Sequence, residues 1–228
     1  MKKNLALSLL VASTFAFTAV SMAAAGDKKK KDEAAQTEKK HDTVKVGDKV
    51  PDFTATDVNG KAVKFSDYAG KTVVLEWVNP GCPVCKHATE SGQVAKMITD
   101  AKAIDPSVVF LMVNSTGSTA QNPKATADYL ATNKVLASAA IIDGDGKLGH
   151  MFDAKTTPAM FVIDSKGVLV YSGAIDDSSN DGETPGKTNY VVNTLTQLKA
   201  GETVSPSTTK SYGCGVKYAS SNAKSKKG

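Results

Sequence analysis

Two of the three cysteines in the chain stand three positions apart in the run EWVNPGCPVCKHATESG, as Cys82-Pro83-Val84-Cys85. The thiolate is the reactive form of cysteine, and unpaired amide N–H groups at a helix start lower the pH at which it forms. No proline follows Pro83 until past Ala103, and Val94, Met97, Ile98 and Ala101 recur at helical spacing, which predicts one helix with Cys82 at its N-terminus. Cys85 lies one turn on, beneath Cys82 and within disulfide distance. In this reading Cys82 attacks and Cys85 resolves, so the chain needs no cofactor beyond a redox-active Cys82–Cys85 disulfide. A purely structural disulfide across a two-residue loop removes little chain entropy. Zinc needs four ligands, and His87, in the first helical turn, is expected in solvent. Copper held by Cys82, Cys85 and His150 is an alternative by ligand type.

Glu76 is the only charged residue of VVLEWV, residues 73–78, and precedes Cys82 by six positions. Alternation along a strand puts it on the face of Val74 and Val78. A carboxylate buried there is costly unless protonated or partnered. Such an acid could take the proton from Cys85 as Cys85 attacks a mixed disulfide; the alternative is a solvated sheet edge. Cys214 makes the cysteine count odd, which points to an intermolecular bond or a free reactive thiol. Set between glycines in SYGCGVKY, it sits either on an exposed tail, as an accessory thiol shuttling the disulfide from Cys82 or Cys85, or packed against the domain.

The elements that must position these residues follow from periodicity. Alternation around Asn59-Gly60 predicts a hairpin with a two-residue turn. VVLEWV reads as a central strand covered on both faces. The strand VVFLMVNS, the helix PKATADYLATNK, the strand SAAIID and a short helix near Lys147 to Phe152 come next. The strands AMFVID and VLVYSGAI, joined at Ser165-Lys166-Gly167, precede a last helix from about Thr188 to Lys199. This order implies an α/β fold: a mixed central sheet with flanking helices and an added N-terminal hairpin. Asp143, Asp145 and Gly146, like Asp177, Ser179, Asp181 and Gly182, lack the distal glutamate of a calcium loop and read as turns. DGETPGKT lacks the spacing and leading strand of a phosphate loop.

Lys2 and Lys3, the apolar stretch Leu5 to Val20 and the small residues of SMAAAG read as a secretory signal peptide over residues 1–25. Residues 26–44 read as a charged, disordered tether, 45–202 as the folded domain and 203–228 as a C-terminal tail carrying Cys214. The expected product is exported, periplasmic or otherwise extracytoplasmic, and soluble after cleavage. Removing Lys2 and Lys3 lowers the formal net charge from +5 to +3, too little to argue for a nucleic-acid partner. Every basic side chain other than histidine is lysine, so no site can use a guanidinium fork.

VVLEWVNPGCPVC, with an acid six positions before the first cysteine, resembles the active-site strand and helix of thioredoxin-fold proteins, and KTTPAMFVID resembles their proline segment. The resemblance implies a thioredoxin-like three-layer sandwich, a cis Thr157-Pro158 bond facing the cysteines, and a Thr157 backbone that pairs with an extended thiol substrate. More narrowly, VGDKVPDFTATDVNGKAVKFSDYAGKTVVLEWVNPGCP, TTPAMFVIDSKGVLVYSGAIDD and YGCGVKY resemble the redoxins of the alkyl hydroperoxide reductase and thiol-specific antioxidant branch, which are peroxiredoxin-like. Peroxidases of that branch place a threonine three residues before the attacking cysteine and add an arginine. Here the position is Asn79, which could orient a peroxide only weakly, and arginine is absent. The resemblance and the residues together favour a thiol-disulfide oxidoreductase acting on protein thiols and disulfides over a thiol-dependent peroxidase. Proline after the first cysteine resembles exported reductases of cytochrome c maturation, which implies a reducing direction and a membrane or exported electron donor.

Overall fold

The computed structural model describes residues 43–178 and 184–219. The signal peptide, nearly all of the tether, Ser179, Asp181 and Gly182 lie outside the described residues.

Strand formation follows the apolar runs. β1 (Thr54–Asp57) and β2 (Ala62–Lys64) form the hairpin; β3 (Val73–Trp77), β4 (Val109–Asn114) and β5 (Ala139–Ile142) follow, separated by helices. β6 (Thr156–Thr157), β7 (Ala159–Ile163), β8 (Leu169–Gly173) and β9 (Cys214–Gly215) complete the strands. Seven of them make one sheet in the order β2-β1-β5-β4-β3-β7-β8, and β6 pairs with β9 in a separate ribbon. β3 runs parallel to β4 and antiparallel to β7, so the central sheet is mixed. All residues of β3, β4 and β7 are buried, as strands covered on both faces must be.

The helices are α1 (Pro83–Glu90), α2 (Gln93–Ile104), α3 (Gly117–Ala120), α4 (Pro123–Thr132), α5 (Lys147–Met151) and α6 (Tyr190–Ala200). Val74, Val78, Met112 and Met160 face one core with Cys85, Met97, Ile98, Val191 and Leu195, so α1, α2 and α6 cover that side. Leu75, Trp77, Leu111 and Phe161 face a second core with Leu148, Phe152, Val44 and Phe53, supplied by α5 and the N-terminal segment. These layers make the thioredoxin-like three-layer sandwich expected from the sequence.

Two local expectations change. The single helix from Pro83 is two helices, because Gly92 takes a left-handed conformation (φ 81°) that ends one run before the next begins. The hairpin turn holds three residues between Asp57 and Lys61, not two: Gly60 adopts φ 78°, and the Asp57 carboxylate accepts from the Asn59 and Lys61 amides.

A buried polar chain locks the sheet to α5. Trp77 Nε1 donates to Ser115 Oγ at 2.9 Å, Ser115 donates to Asp143, and Asp143 accepts from the Leu148 and Gly149 amides at the α5 N-terminus. Asp143 is therefore a helix-start anchor, and burial pushes its carboxyl above the usual range. Replacing Ser115 by Ala leaves the buried Trp77 donor unpaired and removes a hydrogen bond from Asp143. Ser115→Ala is expected to lose ~1–3 kcal/mol of stability, seen in urea unfolding at a fixed redox state as a lower midpoint with an unchanged slope.

Candidate functional site

From the end of β3 the chain turns through Asn79-Pro80-Gly81 onto α1. Asn79 Oδ1 accepts from the Gly81 amide at 2.8 Å and from Thr119 Oγ1 at 3.3 Å, and its carbonyl accepts from the Cys82 amide at 3.0 Å. These bonds shape the turn, so Asn79 is occupied in holding backbone. Cys82 is the N-cap of α1 in an extended conformation, with Pro83 opening the helix where a missing N–H costs nothing. The Cys85 amide points at Cys82 Sγ, 3.5 Å away, among the helix-start donors that favour a thiolate.

The Thr157-Pro158 bond is cis, and the Thr157 carbonyl oxygen lies 3.1 Å from Cys82 Sγ. Thr157 and Pro158 are thus brought to Cys82. The third cysteine arrives at the same place. β9 pairs antiparallel with β6, setting Cys214 opposite Thr157 and Gly215 opposite Thr156, and the Val216 amide extends the ribbon to the Lys155 carbonyl.

Cys82 is disulfide-bonded to Cys214, with Cα atoms 5.9 Å apart, and Cys85 is a free, buried thiol. The disulfide expected from the sequence joins Cys82 to Cys85; in this structure Cys82 is joined to Cys214 instead. The register of the β6–β9 ribbon brings Cys214 to Cys82 on the Thr157 side, whereas Cys85 lies buried in the core. Of the two placements open for Cys214, packing against the domain is the one observed: the residue is half-buried against the α1–α2 core.

Glu76 is 1 % exposed, and neither carboxylate oxygen has a hydrogen-bond partner. Its strand neighbours in register are Met112 and Met160, so the solvated-edge alternative does not hold. Burial pushes its pKa from an ordinary 4.5 up to about 8. Burial also drives the Cys85 thiol far upward, and the nearby Glu76 charge adds to this, against a backbone hydrogen bond from Asn79. The pair therefore disfavours negative charge on both groups at once.

Sequence reasoning did not find Tyr129, whose hydroxyl donates to the Cys85 carbonyl at 2.9 Å. Its position on the buried side of α4 gave no chemical signal. The two tyrosines of SYGCGVKY are both anchors: Tyr212 donates to Asp176 at 2.7 Å and Tyr218 to the Ala154 carbonyl at 2.6 Å. His87 is exposed, while His150 stacks on Tyr218 with ring centroids 4.2 Å apart. Among the described residues no group of three or more His, Cys, Asp or Glu side chains converges as metal ligands would, so His150 does not complete a copper set with the cysteines.

Comparison with known proteins bears on this arrangement. The thiol-disulfide oxidoreductase ResA of Geobacillus kaustophilus (strain HTA426) is 28% identical over 124 residues, covering 54% of this chain and 66% of that relative, just under two thirds of its length. An uncharacterized conserved protein of Geobacillus kaustophilus superposes with a TM-score of 0.69 at 23% identity, covering 78% of this chain and 95% of that one. A hypothetical protein of Sinorhizobium meliloti 1021 superposes with a TM-score of 0.65 at 18% identity, covering 78% and 97%. These two likenesses establish the fold. The model of the Redoxin family matches residues 45–190, from the segment before the N-terminal hairpin through the cysteine turn and the cis-proline to the start of α6, and the chain belongs to the redoxin family.

Proposed function

We propose that the chain is an exported thiol-disulfide oxidoreductase, acting on protein thiols and disulfides in the reducing direction. The observation that carries this reading is the placement of Cys82, at a helix N-terminus and against the Thr157 carbonyl, with Cys85 one turn deeper. Reduced Cys82 attacks a client disulfide as its thiolate. The mixed disulfide lies along the Thr157-Pro158 edge, where an extended client strand pairs with the Thr157 backbone. Cys85 then gives its proton to ionised Glu76 and attacks Cys82 Sγ, releasing the client thiol and leaving a Cys82–Cys85 disulfide. A membrane or exported donor of electrons restores the dithiol.

Support comes from the name and activity of the ResA relative, from Pro83, whose likeness to exported reductases favours reduction, and from the leader-like residues 1–25, which favour an extracytoplasmic site. Peroxidase chemistry draws less support: the Asn79 side chain is engaged by Gly81 and Thr119, and the chain has no arginine to pair with a peroxide.

A variant keeping Cys82 alone, with Cys85 and Cys214 both changed to Ser, is expected to accumulate mixed disulfides with extracytoplasmic proteins, resolved on non-reducing gels. Cys82→Ser should yield none, and an empty single-cysteine trap would refute the exchange reading.

Glu76 gives two pH signatures. Ionised Glu76 is the proton acceptor, so release of client by Cys85 should quicken as pH rises through about 8. Glu76→Gln should remove that rise and slow release by ~10²-fold or more, measured by stopped-flow quenching of a mixed disulfide. Stability should move the other way. The folded chain keeps the Glu76 proton to about pH 8, whereas the unfolded chain loses it near 4.5, so stability falls as pH rises across that window. Glu76→Gln should flatten the fall in unfolding midpoints between those values.

A further inference from the structure

β9 lies where the exchange reading places a client. Its Cys214 is bonded to Cys82, and its backbone pairs antiparallel with Thr156 and Thr157. The Cys82–Cys214 bond has the composition of an enzyme–client mixed disulfide, except that the client is part of the same chain. We infer that β9 is a tethered pseudosubstrate, and that Cys82 trades its disulfide between Cys214 and Cys85, closing and opening the client groove. This rests on the exchange chemistry proposed above, and adds to it a third redox cysteine and a gate.

The residues around Cys214 are built for this placement. Gly213 has φ 110°, and a Cβ there would stand 2.3 Å from the Thr157 carbonyl oxygen. Only glycine lets the strand lie this close to the cis-proline turn. Upstream, the segment is fastened to the domain. Thr209 Oγ1 bonds the Tyr171 hydroxyl and the Ala174 amide, and Tyr212 donates to the buried Asp176 carboxylate, which also accepts from Gln93 and from the Gly186 amide. Downstream it is fastened as well: the Val216 amide donates to the Lys155 carbonyl, the Lys217 carbonyl accepts from Gly117, and Tyr218 donates to the Ala154 carbonyl and stacks on His150. Fastening on both sides keeps Cys214 at high effective concentration near Cys82, while the ribbon between the anchors, two residue pairs long, is short enough to part.

The exchange balances within the chain. Glu76 takes the proton of Cys85, the Cys85 sulfur attacks Cys82 Sγ, the Cys82–Cys214 bond breaks and the Cys82–Cys85 bond forms. Cys214 departs as a thiolate and is protonated by solvent. One disulfide and one thiol exist before and after, so no oxidant or reductant is consumed. In the closed form the free thiol is Cys85, buried in the core; in the open form it is Cys214, on a segment released from the groove.

The test uses the full mature chain oxidised to one disulfide. It is treated under native conditions with a maleimide, quenched in acid and mapped by non-reducing peptide mass spectrometry. The expected result is progressive labelling of Cys214, not Cys85, with conversion of Cys82–Cys214 into Cys82–Cys85. Cys85→Ser should abolish the labelling, because Cys214 then has no internal thiol to displace it. Gly213→Val, outside the cysteine pair, should push the side chain against the Thr157 carbonyl and shift the unlabelled equilibrium toward Cys82–Cys85 by about tenfold or more. Cys82–Cys214 as the sole disulfide in both wild type and Gly213→Val, with Cys214 never labelled, would overturn the gate. The exchange reading would still stand if the Cys82-only variant traps clients, so the two failures are told apart.

Discussion

The meeting of the α1 N-terminus with the Thr157-Pro158 turn sets the terms for the rest of the molecule. Cys82 Sγ and the Thr157 carbonyl belong to segments 75 residues apart, and they come within 3.1 Å because β3 and β7 are direct antiparallel neighbours. Trp77 at the end of β3 faces Ala159 at the start of β7, so the two loops leave the sheet side by side. Burial of β3, β4 and β7 on both faces fixes that register, since a slip by one residue would turn Glu76 and its apolar neighbours to the opposite core. The site is therefore as rigid as the central sheet, and the gate proposed for β9 works against a fixed partner.

Beneath that junction the core carries an unusual burden. Glu76 and Cys85 are both buried, and a charge on Glu76 raises the cost of ionising Cys85. A protein selected for stability alone would place an apolar residue at Glu76. The carboxyl kept there has its pKa raised to about 8, close to that of an ordinary thiol, beside the buried free thiol of Cys85.

Much of this was legible in the sequence because it rests on local pattern. Continuous apolar runs mark β3, β4 and β7, Pro83 follows the capping cysteine, and the one charge in VVLEWV marks Glu76. The Thr-Pro pair was recognised through likeness to thioredoxin-fold proteins, since nothing in its composition gives its distance from Cys82. The break at Gly92 was missed because the apolar spacing of α2 continues smoothly past it. The pairing of Cys82 with Cys214 was the larger gap. It depends on a two-residue ribbon formed by a segment rich in glycine and polar residues, and such a ribbon leaves no periodicity. The tyrosines at 212 and 218 were the available signal, because aromatic side chains on either side of a cysteine are suited to fastening it to a domain.

The Cys82–Cys214 bond also bears on chemical survival. A thiolate at an exposed helix start is vulnerable to peroxides, which carry it through sulfenic to irreversible sulfinic and sulfonic acids. With β9 in place, Cys82 and Cys214 are bonded to each other and Cys85 is buried, so this form exposes no free thiol to a passing oxidant. Bonded in this way, the tail sheathes the Cys82 sulfur.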